Sequence, residues 1–231
     1  MNQDFDRRYS QAEDAVVSRG QPSLLETNKV LRQTYMLLAM TLLFSAGTAF
    51  VGMTVFNKPV NWILDLVVTF GLLFALNWQR NSVMALPLVF AFTGWIGLSL
   101  GPILSIYMQI GNGSDLIVQA LGATALVFFA LSAYTLRTQK DFSFMGGFLF
   151  VGLIVAVIAS IANIWLQIPV LQLVIPAAFV LIASGLILFD TSRIIHGGET
   201  NYVMATVSLY LNIYILFMNL LSLLTSLSSD D

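Results

Sequence analysis

The chain has 231 residues, 58% of them hydrophobic and only 10% charged, with a net charge of −2. Soluble domains carry roughly 25% charged residues, so a soluble fold of this length could not hide so much apolar surface, and the chain reads as an integral membrane protein with one membrane domain. The near-neutral charge, without a basic patch, excludes nucleic-acid binding; the absence of cysteine excludes disulfides and thiolate chemistry, and a single histidine excludes a cluster of histidine ligands.

Residues 1–30 are polar and mixed in charge, with no short apolar core that would mark a signal peptide. They are expected to form a cytoplasmic tail, followed by a transmembrane domain over residues 31–231. Ser23-Leu-Leu-Glu26 has capping-box spacing, and a helix leading into the membrane is expected to begin there.

A helix needs roughly 20 mostly apolar residues to cross the hydrocarbon core. Seven runs meet that requirement: Thr34–Phe56, Val60–Leu76, Val83–Tyr107, Leu116–Leu136, Phe144–Leu166, Leu171–Phe189 and Tyr202–Leu227. The breaks between them are short and polar, as in Asn57-Lys58-Pro59 and Gly111-Asn112-Gly113, which implies antiparallel neighbours. The runs are continuous rather than alternating, which argues against a β-barrel. The expected fold is all-α, a bundle of seven transmembrane helices.

Lysine and arginine set the orientation. With the tail inside, nine of the ten lie on the inner side and only Lys58 lies outside. The N-terminus is therefore expected in the cytoplasm and the C-terminus (Asp230, Asp231) on the far side. Glycine recurs where helices should touch: Gly94, Gly97 and Gly101 in the third span, and Gly146, Gly147 and Gly152 around the fifth. Small residues let membrane helices approach closely, and tight packing is their simplest reading.

The last span carries Ser208, Asn212, Asn219, Ser222 and Ser226, at offsets of 0, 4, 11, 14 and 18. At about 100° per residue these five share a stripe roughly 80° wide. Such a stripe cannot face lipid, so it must face other helices or water inside the bundle. The last helix is therefore expected at the centre, with six helices packed around it. The stripe serves either as interhelical hydrogen bonding or as the wall of a narrow hydrated passage.

Two acids lie at the edge of a span, away from an obvious loop. Asp65 is near the outer end of the second span and Asp190 ends the sixth, near the inner face. A carboxylate in a membrane is costly unless solvated, paired or protonated, so both are candidates for a group responsive to protons or cations. Interfacial solvation is the plain alternative for Asp65, and pairing with Arg193 for Asp190. The polar loop Arg193–Asn201 adds Arg193, His196 and Glu199 as secondary candidates, His196 as a local hydrogen-bonding residue or a pH sensor. The two acids sit at opposite faces, too far apart for an aspartyl-protease dyad. Ser184 lies about two turns deeper than the loop that carries His196 and has no recognisable oxyanion hole, so a serine nucleophile is not supported. No catalytic group, cofactor or metal site is assigned, and the chain is not read as an enzyme.

Gly97-Leu-Ser-Leu-Gly101-Pro102-Ile-Leu104 and Ala120-Leu-Gly-Ala-Thr124-Ala125-Leu-Val-Phe128 resemble the signature of the Bax-inhibitor family of multispanning membrane proteins. Lys140-Asp141-Phe-Ser143-Phe144 and Phe189-Asp190-Thr191 fit the same family. His196-Gly-Gly-Glu-Thr-Asn-Tyr202, followed by Ala205-Thr-Val-Ser-Leu-Tyr210, is similar to its bacterial YccA branch. The resemblance runs from about Leu24 to the end.

It implies six helices around a seventh, a place in the bacterial inner membrane, and two functions. YccA-like members restrain the membrane-anchored ATP-dependent protease FtsH; other bacterial members are pH-sensitive calcium leaks. In the leaks an aspartate ending the sixth helix pairs with one on the seventh, joined by an arginine near the inner end of the second. These positions carry over as Asp190 and Arg80, and Asp65 resembles an acidic residue of the leak's second helix. The second aspartate does not carry over, because its register falls on Asn212. Two carboxylates sharing a site split their pKa values, and a carboxylate facing an amide lacks that coupling. The resemblance therefore implies a protease-type partner in the lipid bilayer, with calcium or proton passage weak or absent.

Overall fold

The computed structural model describes residues 24–56 and 58–228. The tail up to Ser23, with the Ser23 end of the capping box, and the C-terminal Asp230 and Asp231 lie outside the described residues.

All seven expected helices are present, and no strand occurs among the described residues. They are α1 (Leu24–Val55), α2 (Trp62–Gln79), α3 (Ala85–Met108), α4 (Gly113–Thr138), α5 (Gly146–Leu166), α6 (Leu171–Ile195) and α7 (Tyr202–Ser228), with a short 3₁₀ turn, Ser143–Met145, before α5. Each is long and apolar enough to cross a bilayer. Large apolar side chains stand exposed on the outward faces, most densely on α2 and α5. In water that surface would be prohibitive, whereas lipid matches it.

The sixth helix runs five residues past Asp190, to Ile195. Its last turn is buried by Thr191, Ser192 and Ile194, so packing extends the helix through a stretch that polarity alone marks as loop. The helix stops where Gly197 adopts a positive φ of 73°. Gly198 N–H then bonds the Arg193 carbonyl at 2.8 Å and Gly197 N–H reaches Ile194. This is a glycine C-cap, which satisfies carbonyls the helix end would otherwise orphan.

Helix α7 packs directly on α1, α3, α4 and α6. Along its length only Leu227 is exposed. Helix α2 packs on α3 and α5 packs on α6, both on the outside of this arrangement. The main core runs through all of this centre, with Leu38, Phe92, Ile187, Leu209 and Leu216 almost completely enclosed.

The α1–α3 contact is built from glycine. A Cβ at Gly97 would strike the Ser45 carbonyl and the Thr48 hydroxyl; one at Gly101 would strike the Ala49 carbonyl. Across the seam, Gly52 lies against the Leu98 carbonyl. Pro102, four residues after Leu98, has no N–H to give that carbonyl. Gly94 and Gly146 each accommodate an aromatic ring instead, from Phe44 and Phe189, while Gly147 faces open space.

Candidate functional site: a carboxylate and an amide between α6 and α7

Asp190 faces α7. Asn212 Nδ2 donates to Asp190 Oδ2 at 2.7 Å, and the Asp190 side chain is only 12% exposed. Asn212 is itself buried, five residues from the Thr206–Val207 turn of the same helix. Arg193, one turn on from Asp190, approaches Oδ1 at 4.0 Å. Its guanidinium also lies 3.5 Å from Glu199, reaches toward the Gly198 carbonyl, and stands over the Phe189 ring. A carboxylate this enclosed needs partners: Asn212 donates a hydrogen bond on one side, and Arg193 places its positive charge on the other.

The N-terminal end of α7 is fixed by a residue that the sequence reading passed over. Asn201 Oδ1 accepts from the N–H groups of Val203 and Met204, an N-cap for α7. Its Nδ2 donates to the Arg80 carbonyl at 2.7 Å and to Asn81. Its N–H in turn bonds Glu199. An asparagine directly before the long apolar run was the available signal. Arg80 thus joins this end of the bundle through its backbone; its side chain is exposed, and the ion pairs among the described residues are those of Arg193.

His196 belongs to a different network. Its Nδ1 meets the Ser192 carbonyl and hydroxyl, and its Nε2 meets the Gln139 carbonyl at 3.1 Å. Ser192 also accepts from Phe142 N–H and donates to the Lys140 carbonyl. Together they tie the α4–α5 loop to the end of α6. Asp141, in that loop, is held below the ordinary carboxylate value of 3.8 by the Ser143 hydroxyl and N–H. Ser184 directs its hydroxyl to the Val180 carbonyl.

Asp65 stands apart from all of this. Its Oδ1 accepts from Ser99 on α3 at 2.6 Å, and Tyr214 of α7 lies within electrostatic reach. None of the five stripe residues on α7 is exposed. Asn219 bonds back to the Ile215 carbonyl. Ser222 and Ser226 line two cavities of mixed polarity, of about 480 and 400 Å³, near the α6 N-terminus, together with Gln172. Among the described residues no group of three or more His, Cys, Asp or Glu side chains could hold a metal ion.

The family model described as Inhibitor of apoptosis-promoting Bax1 matches residues 27–229. The chain belongs to this family. Among curated proteins, "Modulator of FtsH protease YccA" of Escherichia coli is 52% identical over 213 residues, covering 92% of this chain and 97% of the relative. The same similarity holds for a protein called "Inner membrane protein YccA" in another Escherichia coli strain. An uncharacterized membrane protein of Vibrio cholerae is 47% identical over 208 residues, 90% of this chain and 93% of its own length. The family match reaches every helix described above, from residue 27 in α1 to the end of α7. The chain is a transmembrane member of the family, of the kind that the YccA proteins represent.

Proposed function

We propose that this chain is an inner-membrane regulatory protein that restrains a membrane-anchored ATP-dependent protease of the FtsH type. The observation that carries the reading is the 52% identity, across nearly the full length of both chains, to a protein named as a modulator of that protease. The carboxylate–amide pair is in keeping with it. Across the α6–α7 seam Asp190 meets an amide donor rather than a second acid, so this pair does not split one proton between two carboxylates. Regulation by binding needs no catalytic group.

In this reading the N-terminal residues 1–30 lie in the cytoplasm and the C-terminus in the periplasm, as the distribution of lysine and arginine argues. The tail then projects on the side of the protease's ATPase and serves as its handle. The test is affinity co-purification with the protease, with turnover of a membrane substrate followed beside it. Overexpression is expected to slow degradation of the substrate, and deletion of residues 2–20 to lengthen the chain's own lifetime. Substrate turnover that ignores the protein, with no co-purification, would refute the proposal.

A cation leak is the second reading. Two features favour it: Asp65 and Asp190 stand at opposite ends of one bundle, and the stripe on α7 ends at cavities that Ser222 and Ser226 line. Calcium flux into proteoliposomes, on either side of neutral pH, separates the readings. Flux through the native protein that Asp190→Ala changes would favour the leak. Flux only through Asn212→Asp would mark a pathway that the asparagine closes.

A further inference from the structure

An apolar cavity of about 330 Å³ lies between α1, α3, α4 and α7, separate from the Asp190 site. Leu42, Ala49 and Met53 of α1 form one wall, Leu104 of α3 and Leu121 of α4 others, and Phe217 of α7 the back. It has more than twice the roughly 150 Å³ of an apolar cavity that admits a benzene molecule. Most of the hydroxyls on its lining are already engaged: Ser45 Oγ and Tyr210 OH are 2.6 Å apart, Tyr210 OH bonds the Thr93 carbonyl, and Thr124 donates to the Ala120 carbonyl. The cavity therefore offers water little to bind and suits hydrocarbon.

Its opening is lateral. Near the inner end α1 and α4 meet through the Tyr35 and Phe128 rings. Farther out the two helices line the cavity from opposite sides, and at its mouth Phe50 is 69% exposed and Leu121 53%. Those side chains belong to the lipid-facing surface, so the cavity is continuous with the hydrocarbon core. From Leu42 to Met53 the lining runs about 16 Å along α1, at 1.5 Å per residue, which is close to half the ~30 Å hydrocarbon thickness. That is the reach of one leaflet.

We infer that this cavity is a lipid site, which takes one acyl chain of a bilayer phospholipid from the leaflet at the C-terminal end of α7. The chain replaces the dispersion contacts that α1 and α4 fail to make with each other. Through Tyr210, Ile213 and Phe217 it touches the central helix directly, so the composition of the membrane reaches the helix that carries Asn212.

The test is photolabelling of the full chain in nanodiscs of phosphatidylethanolamine and phosphatidylglycerol, doped with a phosphatidylcholine that carries a diazirine midway along one acyl chain. Leu104 and Phe217 are shielded from bulk lipid, at 7% and 6% exposure, so adducts on them report a chain inside the cavity. Such adducts are expected, and Ala46→Phe, which fills the cavity, is expected to reduce them about tenfold, equivalent to about 1.4 kcal/mol of binding. Gly47→Phe, at a position whose Cβ would meet nothing, should leave them unchanged. Adducts confined to outward residues such as Val151 and Val155 would overturn the proposal. So would Leu104 and Phe217 adducts that Ala46→Phe leaves intact, or cross-linking of a second copy of the chain at this mouth in place of lipid. Should Ala46→Phe fail to fold, the native distribution of adducts between Phe217 and Val151 decides alone.

Discussion

Helices α1 and α3 meet through glycines, while α6 and α7 meet through a carboxylate and an amide. Both seams bring two helices together in a solvent where hydrophobicity gives no preference for helix over lipid. The first does so by removing side chains, so that Gly97 and Gly101 rest on the carbonyls of Ser45 and Ala49. The second does so by burying a carboxylate whose hydrogen-bond donor lies across the seam. A seam of backbone contact tolerates no added atom. A seam of polar contact tolerates added volume better than it tolerates the loss of one partner. The first is architecture; the second has chemistry to spare for function.

The largest expected effect breaks the first seam. Gly97→Leu drives a side chain into backbone that cannot move aside, and should cost about 3 kcal/mol or more, read as loss of folded protein in a thermal melt in detergent. An unchanged melting temperature would mean that α1 and α3 slide freely.

Next comes the second seam. Asn212→Leu leaves the enclosed Asp190 carboxylate without its amide donor, at a cost of about 2 kcal/mol. Replacing both partners, Asp190→Leu with Asn212→Leu, should recover most of that loss, because no buried polar atom is then left over. A double variant no better than the single would show that the pair is not what joins α6 to α7. A smaller effect is expected at Ser99→Ala. Asp65 sits on the outer helix α2 and is only half-buried, so losing the Ser99 hydroxyl should cost no more than about 0.6 kcal/mol.

The smallest effect lies outside the membrane, in the loop that His196 and Ser192 tie to α6. Asp141 has its folded value below the ordinary 3.8 because it accepts hydrogen bonds from Ser143. A depressed folded value means that this contribution is present above 3.8 and is lost as pH falls through the lower, folded value. Protection of the Ser143 amide, taken relative to its intrinsic exchange rate at each pH, should therefore fall only in strongly acidic buffer, and Asp141→Asn should flatten that dependence. Protection that is already lost near neutrality would refute this assignment.

The sequence by itself determined the class of fold and most of its parts. Seven apolar runs, each long enough to span a bilayer, leave only a helical bundle, because in lipid each backbone polar group must be satisfied within its own segment. The stripe on the last span had to turn inward for the same reason, and it does. The pairing of Asp190 with position 212 was legible through family register, and so was the asparagine that fills it. Three things only the tertiary structure decided. Which helices touch α7 depends on packing across long sequence separations, and it placed α2 and α5 outside. The continuation of α6 past Asp190 depends on burial of Thr191, Ser192 and Ile194, which overrides their polar appearance. The placing of the arginines depends on reach: Arg193, one helical turn away, takes the Asp190 side that Arg80 was expected to share, while Arg80 contributes its carbonyl to Asn201. Composition and periodicity describe one helix at a time, whereas a site between helices exists only once neighbours have been chosen.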